Sequence, residues 1–97
     1  MRFRFTAPLW EWSSQGGWFF VTLPQDVASD IREVPRMPRG FGSVRVRVTV
    51  GSSTWSTSVF PDSKRGSYLL PVKKAVRQVE GLLDGDEIEV ALEVLDL

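Results

Sequence analysis

The stretch Gly66-Ser-Tyr-Leu-Leu-Pro-Val-Lys-Lys-Ala-Val-Arg-Gln-Val-Glu-Gly-Leu-Leu-Asp-Gly-Asp-Glu-Ile-Glu-Val-Ala-Leu-Glu-Val-Leu-Asp-Leu97 reads as a strand, a helix opened by proline, a glycine stop, an acidic turn and a final strand. Proline suits the first helical position, where its missing N–H would have no intrahelical partner, so Pro71 is expected to end the Ser67–Leu70 strand and start the helix. Val72, Ala75, Val76 and Val79 fall at helical spacing and predict one apolar face. Gly81 can take the left-handed conformation that closes a helix, with Leu82 placed to fold back on the last turn. Asp84-Gly85-Asp86 reverses the chain. From Glu87 the period becomes two, with Ile88, Val90, Leu92 and Val94 on one face and Glu87, Glu89 and Glu93 on the other.

Working outward, the N-terminal residues 2–9 alternate Phe3, Phe5, Ala7 and Leu9 with Arg2, Arg4, Thr6 and Pro8, a strand with one buried face. Pro8 marks a strand end or an edge. After a Ser/Gly loop, Trp18–Leu23 forms a second strand with Phe19, Val21 and Leu23 on one face. Pro24 is expected to open a first helix as Pro71 opens the second, with Asp26 in its first turn and Val27, Ala28, Ile31 and Val34 as its stripe. Pro35 stops it and residues 35–42 make a loop. Val44, Val46, Val48 and Val50 against Ser43, Arg45, Arg47 and Thr49 predict a strand with one face in the core. Trp55–Phe60 returns as a hairpin. Pairing Val50 with Trp55, Val48 with Thr57 and Val46 with Val59 brings apolar to apolar, sets Arg47 opposite Ser58 and leaves Ser52-Ser53 at the tip.

Strand, Leu-Pro, amphipathic helix and alternating strand occur at Trp18–Val50 and again at Ser67–Leu95, with Leu23-Pro24 matched to Leu70-Pro71. This internal repeat predicts a pseudo-two-fold arrangement. Six strands and two short helices cannot bury their apolar faces in a flat open sheet. The expected fold is mainly β (α+β): one domain over residues 1–97, a small closed six-stranded antiparallel-rich β-barrel with the helices plugging its ends. An open antiparallel sheet with both helices on one face is the alternative.

Composition narrows the chemistry. Twelve Lys and Arg balance twelve Asp and Glu across 97 residues, so no net field favours nucleic acid or an anionic membrane, although a local patch can exist. The absence of cysteine and histidine removes disulfides, thiolate metal sites and imidazole acid–base chemistry. No Ser-x-x-Lys or Gly-x-Ser-x-Gly occurs, so a hydrolase is not expected. The N-terminus alternates charge with aromatics and reads as neither signal peptide nor membrane helix; a cytoplasmic protein is the expectation. No cofactor or metal is expected: the Asp84, Asp86 and Glu87 turn is too short to supply the oxygens of a calcium loop.

Three groups of residues qualify as sites. Lys64, Arg65, Lys73, Lys74 and Arg77 span the loop before the second helix and its first half, an anion-binding arrangement whose ordinary alternative is the solvated face opposite Val72, Val76 and Val79. Arg45 and Arg47 leave the outer face of their strand, where forked guanidinium groups can grip a backbone or carboxylate, or simply discourage edge pairing. Trp10 and Trp12 flank a loop as a stacking platform for bases or a sugar, or as a cap on the barrel mouth; Trp18 and Trp55 lie within strands, and Trp55 falls on the core face, so packing explains it.

The ordered set Phe3–Leu9, Val21-Thr-Leu-Pro24, Val44–Val50 with Gly51, Trp55-Ser-Thr-Ser58, Gly66-Ser-Tyr-Leu-Leu-Pro-Val-Lys-Lys-Ala-Val-Arg77, Gly81-Leu82 and Gly85-Asp86 resembles a bacterial and archaeal family known as domain of unknown function nineteen-oh-five. The resemblance covers nearly the whole chain and implies a small closed barrel with two helices. Members stand alone or beside a domain similar to bacteriocin-protection, porin-associated proteins. No catalytic residues come with it. The Leu-Pro-helix-Gly-strand order is also similar to swapped-hairpin transition-state-regulator DNA-binding proteins. The expected function is a non-enzymatic binding or interaction module for a protein or anionic ligand, docking at the loop side bearing Lys64, Arg65 and Tyr68 or at the Trp10/Trp12 rim. Nucleic-acid binding through Arg45, Arg47, Lys73, Lys74 and Arg77 is the alternative, and an enzyme using Tyr68 with Lys73 or Lys74 the least favoured.

Overall fold

The computed structural model describes residues 1–14, 16–34 and 42–95; the predicted loop 35–42 falls outside these except for Gly42. The elements are β1 (Arg2–Glu11), β2 (Phe19–Thr22), α1 (Gln25–Glu33), β3 (Val44–Val50), β4 (Ser53–Asp62), β5 (Ser67–Pro71), α2 (Lys74–Glu80) and β6 (Glu87–Val94). Each neighbouring pair is antiparallel, and the sheet closes in the order β1-β2-β5-β4-β3-β6. The two ten-residue strands turn the corners. β1 pairs with β6 over Arg2–Pro8 and with β2 over Leu9–Glu11; β4 pairs with β3 over Ser53–Val59 and with β5 over Phe60–Asp62. Pro8 therefore sits where β1 leaves one partner for the other.

Exchanging β1 with β4, β2 with β5 and β3 with β6 leaves every neighbour relation unchanged, so the pseudo-two-fold is real and takes in β1 and β4 as well. Its register differs from the Leu-Pro rhyme. The Leu23 N–H donates to the Tyr68 carbonyl and the Val72 N–H to the Phe19 carbonyl, both at 3.0 Å. As symmetry mates these bonds match Leu23 with Val72, and hence Pro24 with Lys73. Those two residues are the helix N-caps, so neither proline is the first helical residue as expected. Pro71 stays in the barrel, opposite Phe20 at the end of β5, where its lack of an N–H is tolerated.

The late start leaves α2 seven residues long. Of its expected face, Val72 and Val76 reach the core, whereas Ala75 and Val79 are exposed, Val79 at 71%. A two-turn helix offers the core only one narrow stripe. Gly81 closes it as expected, left-handed at φ 64°, with its N–H on Gln78 O and the Leu82 N–H on Arg77 O at 2.9 Å; Leu82 packs against the core. At the opposite end α1 buries Val27, Ala28 and Ile31. Between the plugs, Val44, Val46, Val48 and Val50 of β3 meet Ile88, Val90, Leu92 and Val94 of β6, all buried. Ser67 is the sole buried polar residue among those described, and its Oγ donates to the Leu23 carbonyl at 2.6 Å.

The β3–β4 hairpin is shifted by two residues from expectation: Val50 faces Ser53, Val48 faces Trp55, Val46 faces Thr57 and Arg47 faces Ser56, with Gly51-Ser52 at the tip. A two-residue slip keeps both faces, so hydrophobic matching could not detect it. Gly51 at φ 58° supplies the left-handed position that a two-residue turn needs. The carboxylate of Glu80 then fastens the tip to α2. Its Oε1 accepts the Ser52 N–H at 3.3 Å, and its Oε2 accepts the Ser52 and Ser53 hydroxyls at 2.9 and 2.6 Å. A Cβ on residue 51 would overlap that carboxylate.

The Ser53 and then the Ser52 hydrogen bonds hold the Glu80 carboxyl below its ordinary value of 4.5. A carboxylate with a depressed folded-state pKa stabilises above the unfolded value and loses that contribution as pH falls through the folded one. The difference in denaturation midpoint between the native protein and Glu80→Gln should be constant above about pH 5.5 and shrink toward pH 3. A difference that widens as pH falls would refute the clamp.

Candidate functional site

Strand alternation places the aromatic residues before any fine geometry does. Leu9 and Val21 point inward, so Trp10 on β1 and its ladder partner Phe20 on β2 point outward. The Trp10 and Phe20 ring centroids are 5.3 Å apart and tilted by 39°; Trp12 stacks on Trp10 at 5.9 Å and meets Phe20 edge-on at 5.7 Å. The Trp10 indole Nε1–H donates to Thr22 Oγ1 at 3.0 Å, and that of Trp12 to Ser14 Oγ. Trp12, 37% exposed, is the ring most open to a ligand.

The β4–β5 turn forms the facing wall. Side chains of α1 hold it: Gln25 Nε2 donates to the Arg65 carbonyl at 3.0 Å and Arg32 to the Gly66 carbonyl at 3.3 Å. Asp62 accepts the Arg65 guanidinium at 2.6 Å and the Lys64 N–H at 3.2 Å. From there Arg65 reaches back so that its guanidinium carbon lies 4.4 Å from the Trp10 ring centre, a cation–π contact. β1 and β4 are separated only by the short β2 and β5, about 14 Å across, so long side chains can span them. Leu69, on the same outward face of β5 as its ladder partners Thr22 and Phe60, is only 7% exposed beneath this cover.

The result is a groove of about 620 Å³ with Trp10, Glu11, Trp12, Ser13 and Ser14 on one side and Pro61, Asp62, Ser63, Lys64 and Arg65 on the other. Two places named separately from sequence, the Trp10/Trp12 rim and the Lys64/Arg65 loop, are one site. Its charges balance, Lys64 and Arg65 against Glu11 and Asp62. Tyr68 does not join it. Tyr68 shares the inward face of β5 with Leu70 and is buried in the core, apart from Lys73 and Lys74. Phe20 and Asp62 were missed from sequence; alternation with Phe19 and Val21 was the available signal for Phe20.

The predicted anion cluster is divided. Lys64 and Arg65 precede β5, and Lys73, Lys74 and Arg77 follow it, at the other end of the barrel. A seven-residue helix is too short to focus an anion at its N-terminus. Lys73, Lys74 and Arg77 instead line a second groove of about 520 Å³ with Trp18, Phe19, Trp55, Ser56, Thr57, Pro71 and Val72. The Arg77 guanidinium carbon lies 3.9 Å from the Phe19 ring centre, its Nε donating to the Val72 carbonyl at 3.1 Å and its Nη2 to the Gly17 carbonyl at 3.4 Å. Trp18 is 55% exposed. Because Phe19 and Val21 share a face, Trp18 must alternate outward, a clue present in the sequence.

Arg45 and Arg47 lie on a third surface, the outer face of β3. Arg47 pairs with Glu93 at 2.9 Å, Arg2 approaches the same carboxylate at 3.6 Å, and Arg4 approaches Glu89 at 3.6 Å. Arg45 donates to Ser58 Oγ at 3.5 Å. Asp84 and Asp86 accept the Glu11 and Leu83 N–H groups at 2.9 and 2.8 Å, which is turn chemistry. No described helix is long and apolar enough to cross a membrane.

The chain belongs to the family described as Domain of unknown function (DUF1905), whose model matches residues 5–92. No curated protein matches it.

Proposed function

We propose, with membership of that uncharacterised family as the premise, that this domain is a non-enzymatic binding module whose outer groove receives a neutral, hydroxyl-rich ligand, a saccharide. The observation that carries the reading is the Trp10–Trp12–Phe20 cluster, which leaves the Trp12 ring exposed at a charge-balanced rim. A sugar ring offers an apolar C–H face to an indole and hydroxyl edges to carboxylates, guanidinium and serine hydroxyls, which is the donor and acceptor mixture of Glu11, Ser13, Ser14, Asp62 and Arg65. A polyanion would gain nothing from a rim without net charge. The interior supports the same reading, because its own side chains fill it and leave ligands the outside.

The swapped-hairpin nucleic-acid reading fares worse: Arg47 is engaged with Glu93, and the five cations it needs are divided between a strand face and the α2 end. For the saccharide reading, titration with cellohexaose, maltohexaose and chitohexaose should change tryptophan fluorescence and shift the Trp12 indole N–H resonance. Trp12→Ala should weaken binding by about fivefold or more, since aromatic stacking is worth on the order of 1–3 kcal/mol. Arg65→Ala should weaken it less. Binding that survives both substitutions, or none by any of the three sugars, would remove this groove as a saccharide site.

A further inference from the structure

The second groove combines two features that point to a different partner. The first is an unpaired strand edge. β4 is bonded to β3 along Ser53–Val59, but β5 joins its other side only from Phe60 onward. The two strands splay where Thr57 would face Val72, because β5 ends and the chain turns into α2. Among the described residues no backbone group takes the place of β5 beside Thr54–Ser58. Donors and acceptors turned away from β3 are thus left to solvent over about 13 Å of strand. The second feature is charge of one sign. Lys73, Lys74 and Arg77 line the facing wall, and among the described residues no carboxylate shares the groove, in a chain whose net charge is zero. Trp18 overhangs the cleft, half in solvent.

We propose that this cleft binds an acidic peptide segment in extended conformation, added as a strand to the free edge of β4. The main-chain groups of Thr54–Ser58 supply ladder hydrogen bonds, which give affinity without demanding a side-chain sequence. Alternate side chains of the added strand point toward α2, on the face of β4 that carries Trp55, where carboxylates meet Lys73 and Lys74; those on the other face lie against Trp18. The edge separates this partner from a nucleic acid, which would use the lysines and tryptophans but leave the backbone groups of β4 unmatched. The proposal is independent of the saccharide groove, which lies beyond the far end of β5, so either can fail alone.

The test uses the whole domain and three probes: the hexapeptide acetyl-Glu-Val-Glu-Thr-Glu-Val-amide, the same peptide with alternate amides N-methylated, and a hexamer of thymidine. The plain peptide should quench Trp18 fluorescence and slow hydrogen exchange at the Thr54–Ser58 amides turned away from β3. N-methylation should abolish binding, and the double variant Lys73→Ala/Lys74→Ala should weaken it by about two- to thirty-fold, the range of two exposed ion pairs. Trp18, Lys73 and Lys74 are exposed, so their variants should fold normally and report on binding alone. Equal binding of the N-methylated peptide, or oligonucleotide binding with no peptide-induced protection of β4, would overturn the proposal.

Discussion

Leu70→Ala should lower the stability of this domain by about 2–5 kcal/mol, the cost of removing a fully enclosed leucine from a core that cannot collapse onto the void. Leu70 is 0% exposed and lies opposite Val21 at the middle of the β2–β5 pair, where the pseudo-two-fold crosses the barrel. Its loss opens the interior where the two halves meet. For a domain of this size each kcal/mol is worth roughly 4–8 °C in melting temperature, so a fall of about 8 °C or more is expected by thermal denaturation. Leu83→Ala is the matched control. Leu83 is 70% exposed in the turn before β6, and its truncation should stay within about 0.5 kcal/mol. Comparable losses at both positions would mean that the barrel is not packed as described.

Val90→Asp should prevent folding at neutral pH. Val90 is 0% exposed on β6, opposite Phe5, and the only buried polar residue among those described is Ser67, so no cation awaits a carboxylate there. Burying an unpaired charge costs on the order of several kcal/mol, a large part of the total stability of a small domain. The neutral acid costs less, so the folded-state pKa of this residue must be raised. A group with a raised folded-state pKa binds its proton more tightly when folded, and stability should therefore recover as pH falls toward the acid range. Val90→Asn, neutral throughout, should lack that recovery. The direction is opposite to that of Glu80, whose depressed pKa makes its contribution disappear on acidification. Circular dichroism of the two Val90 variants between pH 7 and pH 4 separates them, and an Asp variant that stays folded at pH 7 would place Val90 outside the core.

What could be read without coordinates followed from periodicity. The valines of β3 and the Ile88–Val94 alternation announce one buried face each, since side chains on a strand alternate whatever their partners. Closure followed because two apolar faces and many edges had to be covered. The points that escaped are those where two arrangements bury the same side chains. The β3–β4 register is one, as a slip of two preserves every face. The start of α2 is another: Leu70-Pro71 repeats Leu23-Pro24 in letters, but the hydrogen bonds of Leu23 and Val72 set the match two residues later.

The sites divide the same way. Trp10, Trp12, Lys64 and Arg65 were all candidates, but nothing local joins residues more than fifty positions apart. They meet because β2 and β5 are short and lie side by side between β1 and β4. Tyr68 and Arg65 look adjacent in the chain, yet a strand sends one into the core while the turn before it lifts the other over Trp10.

By itself the sequence determined which side of each strand is apolar, that two helices interrupt the strands, and which chemistries are impossible without histidine or cysteine. Tertiary structure alone decided register, which cations share a surface, and where β4 is left without a neighbour. The physical reason is range: hydrophobic alternation is written every second residue, whereas ladder pairing and charge proximity are set by which distant strands lie side by side.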